Sequence, residues 1–299
     1  KDPYEYLRRL DQGADPNEIV GPDKIFTSTL TDDRTNYFQN VKLAFELKGY
    51  HVNDPTIIAP PDDESQEREG WLYMYFTMLP NKVAEKCRKS GKPVVQCPEL
   101  FTNHHIGLAS SIDGGNTWTN RGIVVNALDS GDGKGAWMPS AIIRGEEIHL
   151  YYSTGEAEYS DPNIYRQKLS LNGFEKLGAP EEVIVEGFSR GSQLHNIDVI
   201  PYERSGTRFL LAANDGSWSN LPLYDSADGL RFKRIAANLV EKGKFSHVLT
   251  PYVEAAYMNQ LDCIARAGVE CPVSTNLLHV RLSYVERDSD TVWKVIRQE

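Results

Sequence analysis

Two kinds of proton carrier recur at comparable places along this sequence. Asp54 lies in His51-Val52-Asn53-Asp54-Pro55, and His195 and Asp198 lie in His195-Asn196-Ile197-Asp198. A carboxylate facing a second group of different pKa can take a proton from one oxygen and give one to another. Asp54 is one such carboxylate, with Pro55 fixing the backbone behind it. His195 and Asp198 are two further proton carriers; three residues apart, they fall on opposite faces of a strand unless a bulge intervenes. Around them stand groups suited to a hydroxyl-rich ligand. Asn53, Arg190, Asn214 and His247 offer hydrogen bonds, and Trp137 and Trp218 offer flat faces for stacking. Trp218 sits in the polar run Asn-Asp-Gly-Ser-Trp-Ser-Asn, which gives little reason for a core tryptophan.

These residues need a scaffold that brings distant segments together, and an internal repeat supplies one. One unit reads as four strands: His51–Ile58, Trp71–Thr77, His104–Ser111 and Thr117–Val125. A second reads Trp137–Arg144, Glu147–Thr154, Asn163–Ser170 and Phe174–Gly178, and a third His195–Tyr202, Arg208–Asp215, Leu221–Ser226 and Arg231–Ala237. A looser fourth runs through Ser246–Tyr257, Asn276–Glu286 and Thr291–Arg297. The aromatics near the last strand of each unit, Trp118, Phe174, Phe232 and Trp293, are 56, 58 and 61 residues apart. Four-stranded antiparallel units at that period predict an all-β fold, a five-bladed β-propeller of four-stranded antiparallel blades. Residues 22–50 are expected to furnish the fifth blade, so that both ends of the domain close the ring and leave no open edge. Residues 1–21 read as an N-terminal arm, and 22–299 as one domain. Residues 60–70 and 80–103 read as polar loop insertions. In a propeller the first strand of each blade lines the axis, so His51–Pro55, Trp137–Ser140, His195–Asp198 and Ser246–Pro251 converge on one pocket. Trp71, Tyr73 and Tyr75 alternate on a second strand and read as packing between blades.

The run Ser111-Ile112-Asp113-Gly114-Gly115-Asn116-Thr117-Trp118 matches the S-x-D-x-G-x-T-W turn known as the Asp-box, found in sialidases and many other propellers. Its physics is local: the carboxylate accepts backbone N–H groups across the turn and the glycines take positive φ. A degraded copy runs from Ser226 to Phe232. Such turns lie on the outer rim, and Asp113 reads as structural. There is no G-x-G-x-x-G after a strand, no P-loop, no H-E-x-x-H and no G-x-S-x-G, so nucleotide cofactors and serine-hydrolase chemistry are unsupported. Sialidases hold their substrate carboxylate with three arginines, and the inner-strand starts here carry none.

The 299 residues carry a net charge of −10, which disfavours nucleic acid and anionic membrane surfaces as partners. No apolar run approaches the ~20 residues of a membrane span. Four cysteines form two local pairs, Cys87 with Cys97 and Cys263 with Cys271. Their separations lack the short C-x2–4-C spacing of zinc sites, so disulfides are the favoured reading over metal. Disulfides imply an oxidising compartment, secreted or periplasmic. The start at Lys1 rather than Met fits a chain whose export signal has been removed.

The N-D-P-T-I-I start, the W-L-Y-M-Y-F strand and the P-S-A-I-I…I-H-L-Y-Y-S unit resemble the five-bladed glycosidases of glycoside hydrolase families 43, 32 and 117, over most of residues 50–240. The resemblance implies an Asp at the start of the first blade as base or nucleophile, which Asp54 matches. It implies a second Asp orienting the first, and a Glu, or a His in family 117, donating the proton; His195 or Asp198 would fill that role. The sequence departs from the pattern at Met138, read as standing in an acidic position, with Asp198 or Glu156 as substitutes. The expectation is a secreted glycoside hydrolase acting on a polysaccharide or oligosaccharide, with a carbohydrate partner and a monomeric state. Sugar transfer would use the same residues. The alternative is a non-catalytic propeller that binds a glycan or a partner protein. No cofactor is required; relatives often carry an axial Ca²⁺, but no D-x-D-x-D-G loop is present.

Overall fold

The computed structural model describes residues 24–30, 35–36, 38–61, 71–91, 97–155, 163–187, 195–202, 208–214, 222–236, 247–258, 277–289 and 292–298, with the backbone course alone for 24–43, 88, 195–196, 202, 214, 236, 247–258, 277–289 and 292–298. The chain is an all-β propeller. Blade 1 is β4 (Tyr50–Ile58), β5 (Leu72–Pro80), β6 (His105–Ser111) and β7 (Thr119–Val125), paired in that order. Blade 2 is β8 (Trp137–Arg144), β9 (Glu147–Thr154), β10 (Asn163–Ser170) and β11 (Glu181–Val185). Blade 3 is β12 (His195–Tyr202), β13 (Arg208–Asn214), β14 (Leu223–Ser226) and β15 (Arg231–Ala236). The outer strands of blades 2 and 3 pair in parallel, Ile184 with Arg231 and Val185 with Phe232, and merge the two into one eight-stranded sheet.

The last sheet joins distant parts of the chain. It consists of β16 (His247–Met258), β17 (Leu277–Ser289) and β18 (Val292–Gln298), completed by β2 (Thr35–Asn36). The segment expected to build only a fifth blade therefore also finishes the fourth. Its remaining strands, β1 (Lys24–Leu30) and β3 (Phe38–Glu46), form a two-stranded ribbon. The insertion at 80–103, expected as a loop, carries two helices, α1 (Asn81–Lys89) and α2 (Pro98–Thr102). The fourth strand of blade 2 is displaced from the expected 174–178 to 181–185. Asn172 Oδ1 accepts the N–H groups of Phe174 and Glu175, which turns the chain there and leaves Phe174 46% exposed.

The apolar cores lie between blades. In β9, Ile148, Leu150 and Tyr152 pack with Tyr73, Tyr75, Ile106 and Leu108 of blade 1. Tyr151, on the other face, packs with Val199, Phe209, Leu211 and Phe232 of blade 3. Strand alternation thus feeds two interfaces, and β5 and β9 are buried on both faces. Two tyrosines fasten successive blades in the same way. Tyr75 Oη donates to Gly173 O in the outer turn of blade 2 at 2.9 Å, and Tyr151 Oη donates to Gly229 O in that of blade 3 at 3.0 Å.

The second of these turns is the degraded Asp-box, held like the complete one by an Asp carboxylate bonded to a Ser hydroxyl, though over a shorter span. Asp113 accepts Thr117 Oγ1 (2.6 Å), Thr117 N (2.9 Å) and Ser111 Oγ (2.7 Å), while Gly114 and Gly115 take φ of 70° and 89°. Asp228 accepts Leu230 N, Arg231 N and Ser226 Oγ. Bonds from the Thr117 hydroxyl and amide and the Ser111 hydroxyl lower the Asp113 pKa from 3.8 to about 2.

Two outcomes test this scheme. Tyr151→Phe leaves a buried carbonyl without its donor and should cost about 1–3 kcal/mol in urea unfolding; an unchanged midpoint would count against the inter-blade tie. Because the folded pKa of Asp113 is depressed, its contribution is complete above about pH 4 and is lost as pH falls through about 2. The difference in urea midpoint between the native chain and Asp113→Asn should therefore shrink from pH 5 to pH 2.5.

Candidate functional site

The inner strands β4, β8, β12 and β16 stand side by side around the axis. Each slips against its neighbour in the blade by one residue, and at the same level. Three steps along the inner strand, Asn53 to Thr56, Trp137 to Ser140, His195 to Asp198 and Leu249 to Tyr252, match two steps along the second strand. The skipped pairs are Asp54-Pro55, Met138-Pro139, Asn196-Ile197 and Thr250-Pro251. A bulge is where a strand tolerates proline, since the ladder needs no N–H there.

At two of these bulges the backbone is strained. Asp54 (φ 49°) and Met138 (φ 53°) are the non-glycine residues with positive φ among the described residues. Each such conformation costs roughly 1–3 kcal/mol and persists only where the surroundings enforce it. Both strained residues meet Thr77, in the second half of β5. Its Oγ1 accepts Met138 N at 2.8 Å and donates to Asp54 Oδ2 at 3.3 Å. One hydroxyl therefore joins both strained residues across two blades. Asp54 is half-buried and Asn53 beside it is exposed.

The other sequence candidates separate. The bulge brings His195 and Asp198 to partners two apart on β13, Asn214 and Ala212, so their positions share one face of the sheet. Asp198 lies one step beyond the bulge, in register with Thr56 and Ser140, and faces blade 2. Its Oδ1 accepts Ser140 Oγ at 3.3 Å, while Ser140 Oγ accepts Val199 N at 2.9 Å. Thr56 Oγ1 likewise accepts Ala141 N at 3.4 Å. Asp198 thus belongs to a lacing between blades. The bulge position of blade 3 is Asn196, so of the four bulge residues Asp54 alone carries a carboxylate. His195, Asn214 and His247 are placed by backbone at the bulge level or, for His247, at the start of β16. Arg190, Trp218, Glu156, Cys263 and Cys271 lie outside the described residues.

Trp137 does not serve as an open platform. It is 3% exposed, with Phe101 of α2 and His104 edge-on at 5.8 and 5.9 Å between ring centres. Helix α2 reaches it because Cys87 and Cys97 are bonded (S–S 1.97 Å), tying α1 to the start of α2. The connection into β8 passes so near α2 that a Cβ on Gly135 (φ 88°) would stand 2.0 Å from Phe101 O. Burial, the larger effect, brings the pKa of His104 down to about 4 and keeps it neutral. The insertion of blade 1 thereby walls the bulge end of blade 2. Thr77 escaped the sequence reading; its signal was a lone hydroxyl at the end of the apolar run Leu72–Phe76. Among the described residues no group of three or more His, Cys, Asp or Glu side chains is placed to hold a metal. No helix among them is long and apolar enough to cross a membrane.

No family model matches the sequence, and no curated protein is similar to it. Solved structures are. The α-L-arabinofuranosidase from Lactobacillus brevis superposes with a TM-score of 0.54 at 11% identity, over 86% of this chain and 77% of that one. A thermostable family-43 glycoside hydrolase gives 0.53 at 13% identity, over 92% and 88%. An α-L-arabinanase from Cellvibrio cellulosa gives 0.52 at 11%, over 92% and 90%. The chain therefore has the propeller fold of these glycosidases.

If Trp137 is a buried strut, Trp137→Ala should cost about 3–5 kcal/mol in chemical unfolding. Unchanged stability with weakened glycan binding in a titration would return it to the ligand surface.

Proposed function

We propose that this chain is a glycoside hydrolase that cleaves a polysaccharide or oligosaccharide in the axial pocket, with Asp54 as general base. The observation that carries this reading is the strained, hydroxyl-held carboxylate of Asp54 at the bulge end of the inner strands. In such a reaction the base takes a proton from water as the water oxygen bonds to the anomeric carbon. The glycosidic C–O bond breaks, and an acid gives its proton to the leaving oxygen. With Asp198 engaged by Ser140, the acid is His195, whose backbone adjoins the bulge of blade 3. Asn53, Asn214, His247, Arg190 and Trp218 would hold the sugar hydroxyls and faces. The fold shared with glycosidases supports this reading, and the Cys87–Cys97 bond supports action in an oxidising compartment, outside the cell or in the periplasm.

The second reading, a propeller that binds a glycan without cutting it, is favoured by Met138, Asn196 and Thr250 at the other three bulges. A site with one bulge carboxylate binds hydroxyls readily but lacks an opposed acid of the same kind.

Reducing-sugar release from a panel of polysaccharides separates the two. Asparagine tolerates positive φ, so Asp54→Asn should preserve the bulge. Release by the native chain should fall by roughly 10²-fold or more in the variant at equal melting temperature. No release from any glycan that the native chain binds would establish the binding propeller instead.

A further inference from the structure

Blades 1 and 2 carry the same arrangement twice, and it is occupied only once. In blade 1 the left-handed bulge residue is Asp54, and the second-strand hydroxyl opposite Asn53 is Thr77. In blade 2 the left-handed bulge residue is Met138, and the hydroxyl opposite Trp137 is Ser153. Both hydroxyls sit on the face of their strand turned toward the following blade, in step with Tyr75 and Tyr151. Thr77 uses both its capacities. Ser153 is 0% exposed and its Oγ has no hydrogen-bond partner. A buried hydroxyl without a partner is uncommon and calls for a physical cause. The cause here is the side chain at the bulge: the thioether of Met138 is at best a weak acceptor, where Asp54 offers a carboxylate.

We infer that Thr77 is the positioning residue of Asp54, and that Ser153 is the same carboxylate-orienting hydroxyl left idle by Met138. The direction of the Thr77 hydroxyl is not free. Its oxygen is taken by the Met138 N–H, so its single proton is left for Asp54. Blade 2 thus sets the orientation of a carboxylate in blade 1 through a backbone amide. The inference rests on Asp54 as the working carboxylate only for its catalytic consequence, not for the geometry.

The test reads carboxyl pKa values by ¹³C NMR on the intact, ligand-free chain, with Asp54 assigned by comparison with Asp54→Asn. Thr77→Val should raise the Asp54 pKa by about one unit, a tenfold change in proton affinity, because a bond to the charged form is lost. Thr77→Ser should restore it. Described titratable groups on the surrounding elements, His51, Tyr75, His105, Asp198 and Lys82, stay unchanged, so the shift reports the hydroxyl. Independently, the carboxyl introduced by Met138→Asp should titrate lower with Ser153 present than with Ser153→Ala. An unmoved Asp54 pKa in a folded Thr77→Val, or no dependence of the introduced carboxyl on Ser153, would overturn the inference. Shifts seen in a chain that releases no sugar would uphold the positioning role while removing the hydrolase reading.

Discussion

The geometry of this propeller depends on a one-residue slip in each inner strand. A bulge releases its residues from the ladder of their own blade and makes their backbone groups available elsewhere. Met138 shows the result: its amide, skipped by β9, is taken by Thr77 of blade 1. One step further along, Thr56 and Ser140 repeat the exchange with Ala141 N and Val199 N of the next blade. The inner strands of blades 1 and 2 are therefore held by their successors as well as by their own sheets. The prolines at 55, 139 and 251 suit this role, since each occupies a bulge position from which no ladder N–H is required.

Much of this architecture is legible in the sequence where the interactions are short-range. The Asp-box is readable because Ser111, Asp113 and Thr117 contact one another within seven positions. The repeat is readable because each second strand is a long apolar run. Misreadings arose where contacts span blades. Trp137 resembled a stacking face because nothing nearby in sequence covers it; its cover, Phe101, arrives from an insertion in the preceding blade. The bond of Asp198 to Ser140 was likewise out of sight, since it joins residues 58 positions apart. Thr77 was silent because one of its partners lies 61 positions away. Phe174 fitted the repeat period, yet belongs to a turn that Asn172 sets before the strand begins.

The bulge level also differs in composition between blades while keeping the same one-residue slip. Asp, Met, Asn and Thr occupy equivalent places in the register of the four inner strands. The backbone device is indifferent to the side chain it displays, apart from the cost of positive φ. Binding character can then change at one bulge without disturbing the ring, because the lacing uses main-chain amides and the hydroxyls one step away.

Closure of the ring sets an order of events. β2 contributes two residues, Thr35 to Ile296 and Asn36 to Val295, so it pairs with strands about 260 positions later. Blades 1 to 3 can assemble from contacts within and between adjacent units as the chain is made, but the final seam must wait for the far segment. Until then the outer edge of the last sheet is incomplete, with N–H and C=O groups unpaired. Closing the ring thus demands a long-range search by a very short strand, whose two paired positions form the seam between the two ends of the fold.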